Sequence, residues 1–320
     1  MSHTDKNNRW YVVVNPRSGK GKGLTDWPVI NSLLRGAAIE FDANFTLRKY
    51  HAVEMAFEAI TLGYRKIIVV GGDGTLHEVV RGVMIQEHCP STDVTLAVFA
   101  VGTGNDWVRM YGVPKNYSET VRSLVLGRTF LQDVGRVTFY ESRVQQVRYL
   151  CNAGGIAFDA YVSKRVNRLK SKGYKGAWLY ILSGAREFMR PRSTRYLIYI
   201  EDDPVFCDKL FSSTIGIGRY NGGGLAQTPL AVVDDGLFDV TIIPRMNLVR
   251  MLWRLRSIYS GNIYNMKGVR LYRGASITIK CNKETPLELD GEDCGVSDFT
   301  FDIMPRAIKV IVSENFKPTD

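Results

Sequence analysis

Apolar runs that stop at glycine constrain the fold of this chain more than any other feature. Lys66 to Val70 reads as a buried strand ending at Gly71-Gly72, with a helix from about Thr75. Val94 to Ala100 is a second such strand, closed by Gly102-Thr103-Gly104, and Trp10 to Val14 is a third, followed by Asn15-Pro16-Arg17-Ser18-Gly19-Lys20-Gly21-Lys22-Gly23. Ala52, Met55, Ala56, Ala59 and Ile60 recur at helical spacing, and Asn116 with Glu119 forms a capping pair for a helix reaching Leu126. Strand, glycine turn and helix in repetition predict an α/β domain of three layers, a largely parallel sheet with helices on its faces.

After about Gln132 the texture changes. Short β-rich runs follow: Val147 to Cys151, Tyr196 to Ile200, Phe211 to Ile217, Phe238 to Ile243, Ile277 to Cys281 and Phe299 to Ile303. Turn signals such as Asp202-Asp203-Pro204, Asp234-Asp235-Gly236 and Asp290-Gly291-Glu292 separate them. The expectation is an α/β domain over residues 1–133, to which a tail from about 304 to 320 returns. A C-terminal antiparallel β-sandwich domain over 134–303 follows it, interrupted by two basic helical insertions. A length of 320 residues suits two domains, and 45% apolar with 23% charged residues excludes a disordered or fibrous chain.

The longest stretch free of Asp, Glu, Lys and Arg, Tyr220 to Val233, has 14 residues, three glycines and Pro229. That falls short of the roughly 18 apolar residues of a membrane span. The opening Met1-Ser2-His3-Thr4-Asp5-Lys6 lacks the apolar core of a signal peptide, so a cytoplasmic protein is expected. Five scattered cysteines without a C-x-x-C pair argue against a disulfide framework or a zinc site, and four histidines leave few bases for a Ser-His-Asp triad.

Charge is concentrated. Between Val162 and Arg195 stand ten basic side chains and one acid, Glu187; between Arg245 and Arg273 stand seven basic side chains and no acid. These windows hold +16 against a net +10, leaving the remainder at −6. A focal cationic surface attracts an anionic partner or simply solubilises its face. In the second window Leu248, Met251, Leu252, Leu255, Ile258 and Tyr259 recur at helical spacing between arginines. Such a helix suits a lipid headgroup boundary or docks on its own domain. No helix-turn-helix, zinc or RNP motif accompanies the basic charge, so no nucleic acid is expected.

Ligands of an open parallel sheet bind beyond the carboxyl ends of its strands, where the three glycine loops lie. The Asn15–Gly23 loop lets backbone N–H groups approach an anion, but it fits neither the Walker A nor the G-x-G-x-x-G spacing. In Gly71-Gly72-Asp73-Gly74-Thr75-Leu76-His77-Glu78 the new helix starts at an anion-binding end, and Thr75-x-x-Glu78 fits a capping box. A carboxylate there, Asp73, suits orientation of a magnesium ion or a hydroxyl nucleophile. Asp106, after Gly102-Thr103-Gly104-Asn105, repeats the arrangement.

These motifs resemble the catalytic domain of diacylglycerol and sphingosine kinases, and most closely the soluble bacterial lipid kinases of that family. The similarity continues through Asp133-Val134-Gly135, Asn152 to Asp159, Asp234 to Val240 and Leu289 to Glu292, from about Trp10 to Val312. The resemblance implies an active site in the cleft between the two domains. ATP would be bound by Asn15, Pro16, Arg17, Ser18, Gly19, Thr46, Gly71, Gly72, Asp73, Gly74, Thr75, Leu76, His77, Glu78, Thr103 and Asn105. His77 stands where the family usually has asparagine. A magnesium ion would be held by Asp235 and the carbonyls of Val232 and Leu237, linked to a network through Asp106 and Asp133. Without the resemblance, Asp234-Asp235-Gly236 reads as an ordinary turn. Glu292 would be the general base, with neighbouring Asp293 leaving the choice between the carboxylates open, and Asp73 is the other catalytic candidate.

The implied activity is ATP- and magnesium-dependent transfer of a γ-phosphate to a lipid hydroxyl, diacylglycerol first. The protein would work peripherally on the inner face of an anionic membrane, and a homodimer is compatible with the sequence. The alternative is an NAD kinase-like enzyme with a soluble substrate, because such enzymes share the Gly-Gly-Asp-Gly-Thr turn.

Overall fold

The computed structural model describes residues 6–141, 144–172, 174, 178–189, 194–245, 263–296 and 298–317. Its helices are α1 (Ser18–Thr25), α2 (Trp27–Gly36), α3 (His51–Thr61), α4 (Asp73–Ile85), α5 (Asp106–Met110), α6 (Tyr117–Leu126), α7 (Phe158–Ser171) and α8 (Trp178–Met189). The early strands are β1 (Trp10–Val14), β2 (Phe41–Phe45), β3 (Lys66–Gly71), β4 (Thr95–Ala100), β5 (Thr129–Glu141), β6 (Val144–Leu150), β7 (Ala153–Ala157), β8 (Arg195–Ile200) and β9 (Asp203–Gly216). They are followed by β10 (Tyr220–Asn221), β11 (Leu225–Ala226), β12 (Phe238–Pro244), β13 (Arg270–Gly274), β14 (Ser276–Cys281), β15 (Pro286–Leu289), β16 (Glu292–Val296) and β17 (Phe299–Ile311). The chain divides into two compact units, residues 1–134 with 305–320, and residues 135–304.

In the first unit β2, β1, β3 and β4 run parallel in that order, and Lys309 and Val310 of β17 add parallel to β4. Every residue of β1 is buried, as are Ile67 to Gly71 of β3. Continuous burial, without the alternation of a half-exposed sheet, requires cover on both faces. Ile30 and Leu34 of α2 join Val12, Val14, Ile68, Val70 and Phe99 in one core. The periodic residues of α3 are buried as the sequence predicts, and Asn116 caps α6, its side chain accepting from Ser118 N at 2.9 Å.

The second unit is antiparallel throughout its larger sheets: β15 pairs with β16 and β7, β7 with β9, β9 with β12 and β8, and β14 with β8 and the first half of β17. The first basic window forms α7 and α8. The helix expected over Leu248 to Tyr259 lies outside the described residues. Among the described residues no helix is long and apolar enough to cross a membrane.

Two sequence expectations need correction. The helix expected from about Thr75 starts at Asp73, with Gly72 at its N-cap. Thr75 and Glu78 form no capping box: Glu78 Oε1 and Oε2 accept from Tyr50 N and Ala52 N, each at 3.1 Å, and so cap α3.

Candidate active site

The three glycine loops interlock beyond the C-terminal ends of β1, β3 and β4. Asn15 ties the first loop to the second, its Nδ2 donating to Thr75 Oγ1 at 2.9 Å while its Oδ1 accepts from Arg17 N at 3.0 Å. The second and third loops touch backbone to backbone. A Cβ on Gly72 would lie 2.9 Å from Gly102 Cα, and one on Gly102 would lie 2.6 Å from Gly72 Cα. Gly19, at φ 57°, is pressed so closely on the Val101 carbonyl that a Cβ would overlap its oxygen. The first loop is therefore no plain turn: residues 18–25 wind as α1 around a left-handed kink at Gly19 to Gly21. Ser18 and Thr75 thus stand beside the start of α4, whose first-turn N–H groups form a positive, anion-seeking end.

Asn105 adds a polar group to this floor. It sits at φ 53°, with Nδ2 donating to Gly102 O at 2.9 Å. Its Oδ1 is buried without a partner among the described residues, which fits a donor brought by a ligand such as the adenine amine or a ribose hydroxyl. Thr46 lies just past β2, nearly buried, with its N–H bonded to Val14 O at 2.9 Å. Gly74 and Thr103 are exposed, and Pro16 and Arg17 continue the first loop. Two predicted ligand residues are used otherwise by their side chains: Leu76 is a core side chain and Glu78 caps α3. His77 is buried on α4.

The acids are held by different elements. Asp73 Oδ1 accepts from Trp107 N at 3.1 Å, so this carboxylate at the start of α4 also steadies the first turn of α5. That gives Asp73 a structural task the sequence did not reveal. Asp106, buried, faces Arg109 Nε at 3.7 Å. Asp133 is fully buried in β5, and its Oδ1 accepts from Arg306 N at 2.7 Å.

In the second unit Leu289 and Glu292 pair across a two-residue turn, Asp290-Gly291, with φ of 49° and 86°. Positive φ at both positions is the type I′ hairpin geometry, which matches the twist of the flanking strands. Asp290 anchors the hairpin: its carboxylate accepts from Cys151 N at 2.9 Å and from Asn152 N and Ala153 N at 3.0 Å each. From α7, Asn167 Nδ2 reaches Gly291 O at 3.1 Å. Adjacent strand residues point to opposite faces, which separates Glu292 from Asp293. Asp293 is exposed and lies 3.9 Å from Lys164 Nζ, whereas Glu292 is half-buried.

Sequence reasoning gave no role to Glu288 or Asp159: Asp159 closes a family-like motif without an assigned task, and a single acid inside an apolar strand, as Glu288 is, carries no spacing signal. Glu288 lies beneath the hairpin and accepts from Gly291 N. Burial pushes its carboxyl up to about 8, and the charges of Asp290 and Asp159 push the same way. Asp159 accepts from Ser212 Oγ. Since Glu288 keeps its proton in the fold to about pH 8 but loses it near 4.5 when unfolded, the native state binds the extra proton between those values. Stability relative to Glu288→Gln should therefore fall as pH rises through that window, by on the order of a few kcal/mol, and level off above it. Parallel urea titrations of both proteins across the range measure this; parallel curves would mean that Glu288 ionises normally.

The loop before β12 holds a different charge arrangement. Asp235 Oδ1 accepts from Leu237 N at 3.0 Å, and its Oδ2 is ion-paired with Arg273 on β13. Arg273 Nε also lies 3.2 Å from Oδ2 of Asp239, which is fully buried. Burial raises the Asp239 carboxyl while the guanidinium opposes that rise.

Comparison with known proteins agrees with this division of parts. The family model for the diacylglycerol kinase catalytic domain matches residues 9–137, and that for the YegS C-terminal NAD kinase beta sandwich-like domain matches residues 153–312. The chain belongs to the lipid kinase family that joins these two domains. The Bacillus subtilis protein YtlR is 27% identical over 97% of this chain and 99% of its own. A Staphylococcus carnosus diacylglycerol kinase is 26% identical over 97% of this chain and 96% of its own. A Bacillus anthracis crystal structure of a diacylglycerol kinase superposes with a TM-score of 0.73 at 22% identity, covering 96% of this chain and 98% of that one, which establishes the shared fold.

For a lipid kinase of this family, nucleotide use follows from membership, and the orphaned Asn105 oxygen with the α4 N-terminus fits it. A resident magnesium at Val232, Asp235 and Leu237 does not fit the residues as they stand. The carboxylate needed by a hard dication is already neutralised by Arg273, and a second cation would be set against that guanidinium. Magnesium chloride without nucleotide is accordingly expected to leave the thermal midpoint unchanged in wild type and to raise it in Arg273→Ala. A magnesium-dependent rise in wild type, measured by differential scanning fluorimetry, would show that the ion displaces Arg273.

Proposed function

We propose that this lipid kinase transfers the γ-phosphoryl group of magnesium-bound ATP to the free hydroxyl of a diacylglycerol presented by an anionic membrane. The observation that carries the reading is the interlocked floor of three glycine loops, with the N-terminal end of α4 and the Asp73 carboxylate at its rim. A polyphosphate needs close backbone approach and N–H donors, and only side-chain-free positions permit that packing of loops. Phosphoryl transfer asks mainly for such positioning and charge stabilisation.

In this reading the acceptor oxygen bonds to γ-phosphorus as the bond to the β,γ-bridging oxygen breaks. The hydroxyl proton passes to the Glu292 carboxylate, and ADP leaves with the bond's electron pair. Magnesium accompanies the nucleotide as part of the substrate. Asp290 and Glu288 hold the hairpin that presents Glu292, and Glu292 is taken as the base on the resemblance of Asp290-Gly291-Glu292 to the family's motif, while Asp293, on the other face of the strand, lies 3.9 Å from Lys164 Nζ. Radiolabelled ATP supplied with diacylglycerol in mixed micelles is expected to yield labelled phosphatidic acid, and with NAD no labelled product. Labelling of NAD alone would overturn the assignment to lipid.

A further inference from the structure

Helix α8 turns its water-facing side inside out. Leu179 and Ser183 are fully buried and Glu187 nearly so, which fixes the face that packs inward. Trp178, Leu182 and Met189, at steps of four and seven, line a second face about a third of a turn round the helix and are 49%, 51% and 74% exposed. Tyr174 extends the stripe, its ring 6.5 Å from that of Trp178. A solvated helix normally carries polar residues there. The surroundings are cationic, with ten basic residues against one acid between Val162 and Arg195, and that acid, Glu187, is buried.

We propose that α8 is the membrane-docking element, lying in the plane of an anionic lipid surface with Trp178, Leu182 and Met189 sunk into the headgroup–acyl boundary. Basic side chains such as Lys172 and Arg186 would contact lipid phosphates. The inference rests on the lipid-substrate reading above and assigns docking to α8. Two features select a bilayer over a second copy of the chain. Self-association through this face would set one basic window against another, whereas anionic lipid complements it. A single-helix stripe is also narrow beside the roughly 1,200 Å² or more that a stable dimer buries. Aromatic rings with a polar edge suit the headgroup depth, and long basic side chains reach outward from it.

The test is co-sedimentation with phosphatidylcholine vesicles containing phosphatidylglycerol. Each large apolar side chain removed from water contributes about 1.5–3 kcal/mol, so Leu182→Asp with Met189→Asp should weaken vesicle binding roughly tenfold or more. Activity on short-chain diacylglycerol dispersed in micelles should stay at the wild-type level, which also reports correct folding. Lys172→Glu with Arg186→Glu should weaken binding to anionic vesicles and leave neutral ones unaffected. Should the Asp variant fail to fold, vesicles brominated near the top of the acyl chain give a second readout. They should quench wild-type fluorescence more than that of Trp178→Phe, and equal quenching overturns the proposal. Unchanged vesicle binding in a folded Asp variant overturns it too. So does a wild-type dimer that the Asp variant converts to monomer with vesicle binding intact, which would make the stripe a self-interface. If wild type labels no lipid at all, the functional reading fails separately, and sedimentation still decides whether α8 docks.

Discussion

Asp73→Asn should lower kcat for lipid phosphorylation by about three orders of magnitude or more while leaving the melting curve close to wild type. Asp73 does two things at once, and this substitution separates them. Its Oδ1 accepts from Trp107 N at 3.1 Å, a task an amide oxygen can also perform. What asparagine cannot supply is the negative charge at the start of α4, where orientation of the nucleotide's metal or of the attacking hydroxyl would require it. Asp73→Ala removes both functions, and loss of a helix-start acceptor costs typically ~1 kcal/mol, so it should lose activity and some stability together. Glu292→Gln should likewise abolish transfer without a stability change, because Glu292 follows the anchored turn and is not its anchor. Asp290→Asn belongs to another class: it weakens the carboxylate that receives three backbone N–H groups and should destabilise the second unit. Steady-state kinetics with thermal melts for the four variants distinguishes these patterns. Near wild-type kcat in Asp73→Asn would reduce that residue to a cap for α5.

Legibility in the sequence followed burial. β1, β3 and β4 were readable because they are covered on both faces and so are written in unbroken apolar residues. β2 was not: as Phe41-Asp42-Ala43-Asn44-Phe45 it is a half-exposed strand that, among the described residues, has β1 alone beside it, and polar residues interrupt its pattern. In the sequence α1 looks like a glycine loop, because three glycines and two lysines outweigh helical propensity; contact with Val101 and a left-handed kink make it a bent helix instead. Within the site, the residue types were legible but their partners were not. Thr75 and Glu78 have capping-box spacing, yet Glu78 crosses to α3, a contact 26 and 28 residues distant that no local rule contains. Asp235 was legible as an acid in a turn, but Arg273, 38 residues later, decides what that acid does. Sequence alone sets Glu292 and Asp293 side by side, and only strand direction places them on opposite faces, with Lys164 beside Asp293.

Gly102→Val should remove nucleotide binding, with no measurable ATP-dependent rise in melting temperature where wild type shows one. The reason is geometric and acts before any chemistry. A Cβ at this position would lie 2.6 Å from Gly72 Cα and 2.5 Å from Asn105 Oδ1, and neither neighbour is the movable end of a long side chain. Gly72 is the N-cap of α4, so relief must come by pushing the third loop away from that helix start or by turning Asn105 out of its left-handed position. Turning Asn105 out breaks its 2.9 Å hydrogen bond to Gly102 O, and either movement relocates the orphaned oxygen offered to a ligand. Overpacking of this kind costs typically 1–3 kcal/mol in a core. Misplacing a binding group by about 1 Å can alone reduce function on the order of a hundredfold. Gly74→Ala is the matching control: nothing lies within 4 Å of a Cβ there, so that substitution should be tolerated by the fold and should disturb only a ligand lying directly on the helix end. Fluorimetry with ATP on Gly102→Val, Gly74→Ala and wild type reads the difference. If Gly102→Val keeps the wild-type response, the contact between the second and third loops is not what shapes the nucleotide site.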